Sequence, residues 1–103
     1  MCRELEKLAR ILDGLGHPLR LRIVALLTRE GRPMYLSEIA SSLGVSRALA
    51  KIHLKKLEKA GIVSSRVVLV ENEARALRFY VLNRFDIDLT PENILGIAER
   101  CRE

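Results

Sequence analysis

Leucines recur at positions 5, 8, 12 and 15 of the stretch RELEKLARILDGL, at alternating spacings of three and four residues. That rhythm predicts an amphipathic helix over 3–15 with a narrow, coiled-coil-like seam. Gly16-His17-Pro18 breaks the pattern, and Pro18 suits the first turn of a second helix. There the apolar positions are Leu19, Ile23, Leu26 and Leu27, and Gly31 supplies a C-terminal cap. Arg32-Pro33 reads as a connector and 34–36 as a short strand. Ser37 is the expected cap of a third helix, which buries Ile39, Ala40 and Leu43 and stops at Gly44. Val45 reads as a buried turn residue, and Ser46 as the cap of a fourth helix running to Gly61.

A short helix, a glycine-containing turn and a longer helix form a helix-turn-helix unit. After Gly61 the hydrophobic period moves from 3.6 toward 2. The segments IVSSRVVLV (62–70) and ALRFYVLN (76–83) are rich in strand-forming residues and flank the polar tip ENEAR, which predicts a β-hairpin. Thr90-Pro91 is a helix start, and the last helix repeats apolar residues at Ile94, Ile97, Ala98 and Cys101. The chain therefore reads as mainly α with one β-hairpin. It divides into a terminal helix over 1–15, a core over 17–83 and a second terminal helix over 90–103.

Length and composition agree with a single domain: 103 residues, 49% of them hydrophobic, suit one modest core. No apolar run approaches the roughly 18 residues of a membrane span. The charged start MCRELEKLAR has no signal-peptide core, so a cytoplasmic protein is expected. Charge is unevenly distributed. Residues 1–16 are balanced, residues 17–84 carry thirteen basic and five acidic groups, and residues 85–103 carry two basic and five acidic. A basic middle between neutral and acidic ends fits a polyanion-binding core whose ends have another task. Thirteen Arg against five Lys, with no Gln, hints at a thermophilic source. Cys2 and Cys101 make neither a disulfide framework nor a Cys-x-x-Cys pair; two free thiols are the expected state, and an intracellular disulfide of the kind found in thermophiles is the alternative.

The fourth helix carries the chemistry. At about 100° per residue, Ala50, Leu54, Leu57 and Gly61 share one side with His53 and Ala60 beside them. Lys51, Lys55, Lys56 and Lys59 fan over the other side, with Arg47 in the first turn and only Glu58 to offset them. A solvated helix usually interleaves its signs. This segregation fits a helix in the major groove of double-stranded DNA. Arg47 and Lys51 are placed to reach base edges, and Lys55, Lys56 and Lys59 to reach phosphates. Ser46 suits both capping and phosphate donation. Ile52, amid the lysines, is either a contact for a thymine methyl or an ordinary exposed residue. Leu49 lies on the border of core and groove. His53 reads as a packed histidine bonded to a neighbouring helix.

The stretch YLSEIASSLGVSRALAKIHLKKLEKAGIV, followed by the hairpin, resembles the winged helix-turn-helix regulators of the arsenic-repressor-like (ArsR-like) superfamily, small archaeal members above all. The resemblance spans about residues 15–83, and LTPENI near the end is also similar to archaeal relatives. It implies a supporting helix over 36–43, a recognition helix over 46–60 and a wing over 62–82. Arg66, Arg75 and Arg78 on the wing would make a second DNA contact, and Glu71 and Glu73 at its tip oppose deep insertion or pair with Arg75. Metal-sensing relatives carry Cys-x-Cys in the supporting helix or Asp, His and Glu ligands in the last helix. LSEIASSL has neither Cys nor His, so no metal and no cofactor is expected. Ala48, Leu49 and Ile52 replace polar readers of relatives, which bears on base specificity.

The leucine seam of the first helix and the isoleucine stripe of the last exceed what a small core can bury. A C2 homodimer through Leu5, Leu8, Leu12, Ile94, Ile97 and Cys101 would cover both. Cys2 and Cys101 would then lie near that interface, within reach of a redox-sensitive bridge. The alternative is that both helices fold back on their own domain. Two functions compete: a DNA-binding transcriptional regulator, and a winged-helix module that binds protein through Ile52 and Leu49. An enzyme is not expected, since no nucleophile–base constellation, Gly-rich phosphate loop or paired carboxylates are present.

Overall fold

A computed structural model describes residues 2–70 and 76–101. The chain folds as α1 (Arg3–Leu15), α2 (Pro18–Glu30), β1 (Met34–Tyr35), α3 (Leu36–Leu43), α4 (Arg47–Lys59), β2 (Val63–Leu69), β3 (Ala76–Leu82) and α5 (Pro91–Arg100). The strands form one antiparallel sheet in the order β1-β3-β2. The hairpin pairs Val63 with Leu82, Ser65 with Tyr80 and Val67 with Arg78. This is a winged helix-turn-helix: the periodicity predicts its helices and hairpin, and the resemblance implies the wing.

The helix ends follow local chemistry. Gly31 and Gly44 close α2 and α3 in the left-handed region, at φ of 64° and 69°. Gly61 does the same after α4 at φ 77°. Its N–H returns to the Glu58 carbonyl and that of Ile62 to Leu57, both at 2.9 Å, so the helix stops and β2 starts at once. Thr90 caps α5 by accepting the Asn93 N–H at 3.0 Å. Two caps differ from expectation. Ser37 lies inside α3, whose N-cap is Tyr35. The Glu38 carboxylate accepts the Tyr35 N–H at 3.2 Å and holds Arg32 through two nitrogens at 3.2 and 2.8 Å. That ion pair, the main influence, lowers the Glu38 pKa. His17, not foreseen as a cap, accepts the Leu19 N–H through Nδ1 at 3.0 Å.

The core joins Ile23, Leu26 and Leu27 of α2, Ile39 of α3, Leu54 and Leu57 of α4, and Met34, Ile62, Val63 and Tyr80 of the sheet. α1 lies across the end of α4. Gly14 makes that crossing possible, because a Cβ there would overlap the Ala60 Cβ and press on the Ile62 side chain at 3.1 Å.

α5 doubles back so that its C-terminal end meets the N-terminal end of α1. Arg100 pairs with Glu4 at 3.0 Å. Cys2 and Cys101 are joined as a disulfide within the chain, with Cα atoms 5.2 Å apart. This corrects the expectation of two free thiols. Cysteines 99 residues apart carry no local pairing signal, and only the return of α5 brings them together.

A candidate nucleic-acid interface on α4 and the wing

Helix α4 separates its two faces as the wheel predicts. Ala50, His53, Leu54 and Leu57 are buried. Arg47, Ala48, Lys51, Ile52, Lys55, Lys56 and Lys59 are all exposed, and Ile52 is 58% exposed. Leu49 is exposed as well, which takes it out of the core. Ser46 is exposed and caps α4, its Oγ accepting the Leu49 N–H at 3.1 Å.

Arg47, Lys51, Lys55 and Lys59 form one i,i+4 row, where like charges repel at about 0.2–0.5 kcal/mol per pair. Among the described residues none of these four, nor Lys56, pairs with a carboxylate. Glu58, the one acid of α4, is turned aside. Its Oε2 accepts the Ser65 hydroxyl at 2.9 Å, and the Ser65 Oγ accepts from Arg78 Nη1 at 3.0 Å. This chain of bonds ties the wing to α4. Neither its spacing nor its residue types announced it in the sequence. Lys51, Lys55, Glu58, Arg78 and Tyr80 line one concavity where helix and wing meet. Burial, then the Glu58 carboxylate, raises the Tyr80 pKa.

The wing residues divide. Arg78 shares the face of the hairpin that carries Val63, Ser65 and Tyr80 and turns toward α4. Arg66 pairs with Phe79 across the strands and therefore stands on the opposite face. Arg75, with Glu71 and Glu73, lies outside the described residues. Asn83 fastens the wing's base: its Nδ2 donates to the Gly61 carbonyl at 3.0 Å and to Ser64 Oγ at 2.9 Å.

The inner side of α4 is anchored by a cation that the periodicity did not single out. Arg20 of α2 donates from Nε to the Gly14 carbonyl at 2.6 Å and bonds His53 Nδ1 through Nη1 at 3.0 Å. Guanidinium only donates, so His53 Nδ1 accepts and the ring is neutral. His17 stacks on it with centroids 4.4 Å apart. Burial first, then His17 and Arg20, lowers the His53 pKa. His53 is thus a structural residue bonded to a neighbouring helix.

The terminal helices share their apolar residues between the chain's own fold and solvent. Leu5, Leu8, Leu12 and Cys101 are half-buried and Ile97 is buried, whereas Ile94, Leu95 and Leu89 are exposed. Among the described residues no three metal-ligating side chains come together, and no helix is long and apolar enough to cross a membrane.

Comparison with known proteins agrees with this architecture. A family profile described as a helix-turn-helix domain matches residues 15–66. An HTH-type transcriptional regulator of Methanocaldococcus jannaschii is 33% identical over 87 residues, covering 84% of this chain and 87% of that protein. The regulator LrpA of Pyrococcus horikoshii is 26% identical over 81 residues, which span 79% of this chain but 55% of that longer protein. A solution structure of a homodimeric winged helix-turn-helix DNA-binding domain from Mycobacterium bovis, a possible ArsR-family regulator, superimposes with a TM-score of 0.62 at 26% identity, over 76% of this chain and 65% of that one. HlyU of Vibrio cholerae shares the fold, with a TM-score of 0.64 at 24% identity over 97% and 94% of the two chains. The two archaeal relatives are HTH-type transcriptional regulators, and the chain, with its winged fold, belongs to the same helix-turn-helix family.

Proposed function

We propose that the protein binds double-stranded DNA in a sequence-specific manner, as a homodimer reading a palindromic site through helix 46–60 and wing 62–82. One observation carries this reading: the row Arg47, Lys51, Lys55, Lys59 faces solvent without a carboxylate partner among the described residues, and Arg78 extends it onto the wing. Arg47 and Lys51 are the base-reading candidates, with Ala48 and Ile52 offering apolar contact to thymine methyls. Lys55, Lys56 and Ser46 are assigned to phosphates. Arg78 joins them from the wing, and Arg66 and Arg75 are kept as backbone contacts. The Mycobacterium bovis relative is a homodimeric DNA-binding domain, which supports the dimer. The exposed Ile94 and the half-buried Leu5, Leu8, Leu12 and Cys101 would be covered by a partner, whereas Ile97, the remaining interface candidate, is already buried within the chain. Two recognition helices would then enter successive major grooves about 34 Å apart. The cytoplasm, where such DNA resides, is the proposed place of action.

Duplex binding measured against salt tests the proposal. About six phosphate contacts give a log–log slope near −5. Arg47→Ala should relax sequence preference by about 1–3 kcal/mol at one position, while Lys56→Ala should weaken binding to every sequence alike. Equal losses on all DNA from both substitutions would overturn this division. The exposed Ile52 and Leu49 also suit a protein partner, and micromolar protein that fails to shift random duplex at low salt would favour that reading.

A further inference from the structure

A second charged surface lies apart from the outward row of α4. Arg3, Lys7 and Arg10 follow at spacings of four and three, which places them on one face of α1. Across from them stands Arg84, just beyond the wing. Together they edge an open groove of about 790 Å³, whose remaining wall is the turn from α4 into β2. The groove also has an apolar side: Ile62 is buried beneath it, and Ile11 and Phe85 line it half-buried. Glu6 and Asp86 stand on the rim. Among the described residues neither carboxylate is within ion-pair distance of the four cations. Four cations against two acids leave the groove positive, and its volume suits a small molecule.

We propose that this groove binds an amphipathic organic anion, a carboxylate or sulfonate on an apolar body. Charge decides one half of that ligand: the guanidinium groups of Arg3, Arg10 and Arg84 offer paired donors to a planar or tetrahedral anion. The apolar lining decides the other half. The half-buried Ile11 and Phe85 offer an inorganic anion no hydrophobic gain, whereas an aromatic or short alkyl body covers their exposed part and gains the hydrophobic term. The walls come from α1, from the glycine turn that ends α4, and from the residues leaving β3. A ligand seated there touches the terminal helix and both roots of the wing at once. Any effect on DNA affinity rests on the reading above; occupancy itself does not.

The test uses 8-anilinonaphthalene-1-sulfonate as the probe on the intact, oxidised protein, read by fluorescence without DNA. One saturable site per chain is expected, with decanoate displacing the probe and inorganic phosphate at the same concentration failing to do so. The double substitution Arg10→Glu with Arg84→Glu should weaken the probe at least tenfold. The control Arg22→Glu with Arg29→Glu, an equal charge change on exposed residues outside the groove, should leave it unchanged. Circular dichroism separates lost binding from lost folding. Equal probe affinity in the Arg10→Glu, Arg84→Glu variant and in the Arg22→Glu, Arg29→Glu control would overturn the site. Displacement by phosphate as effective as by decanoate would overturn the amphipathic assignment.

Discussion

The outer face of α4 and the edge where α1 meets α5 are both charged surfaces, yet they handle charge in opposite ways. At the α1–α5 edge the signs are mixed. Arg100 pairs with Glu4, and the Cys2–Cys101 disulfide fastens the same ends. On α4 four cations at i,i+4 spacing repel one another, and the helix's own acid is engaged by Ser65. The first arrangement is complete within the chain. The second lowers helix stability slightly, and only an anionic partner offsets that loss. The paired charge joins two segments of the chain to each other, and the unpaired row offers its charge to something else.

The largest expected effect breaks the first region. The disulfide closes a loop of 99 residues, so opening it should cost about 4.7 kcal/mol on loop entropy alone. Thermal melts with and without reductant, and of Cys2→Ser with Cys101→Ser, should show matching drops in Tm. Unchanged melts would mean that α1 and α5 hold each other by packing alone. Next is Gly14→Ala, which drives a methyl into Ala60 where α1 crosses α4. Overpacking of this kind costs about 1–3 kcal/mol, to be read from denaturant midpoints at constant m.

A smaller effect concerns the Arg20–His53 link between the end of α1 and α4. His53 titrates below the ordinary histidine value of 6.5 when folded, so the unfolded chain takes up that proton first. Its contribution to stability is complete above 6.5 and is lost as the pH falls below it. His53→Gln keeps an acceptor toward Arg20 without a titrating ring, and its stability should slope less with pH in that window. Equal slopes in both proteins would mean that His53 does not carry the dependence. The smallest change sharpens the second region. Lys55→Gln removes two like-charge neighbours and should raise stability by about 0.5 kcal/mol while weakening duplex binding. If stability and binding fell together, the row would serve the fold instead.

Much of this could be read along the chain because it depends on neighbours a few residues apart. The leucine rhythm of α1, the glycines that end α2 and α3, the Ser46 and Thr90 caps and the division of α4 into an apolar and a cationic face are all local, set by a 3.6-residue period and by which residues tolerate a left-handed backbone. The change of period after Gly61 likewise announced the hairpin. What stayed hidden depends on distant segments. Hairpin register put Arg78 beside Lys51 and Lys55 and turned Arg66 away. The return of α5 joined Cys2 to Cys101, the packing of α2 on α4 set Arg20 against His53, and the crossing of α1 over α4 opened the groove beside Arg84. Amino-acid order dictated the elements and their polarity, because those arise from short-range sterics and periodicity. Partners across the fold were decided only by packing, where the shape of a whole core selects which surfaces meet.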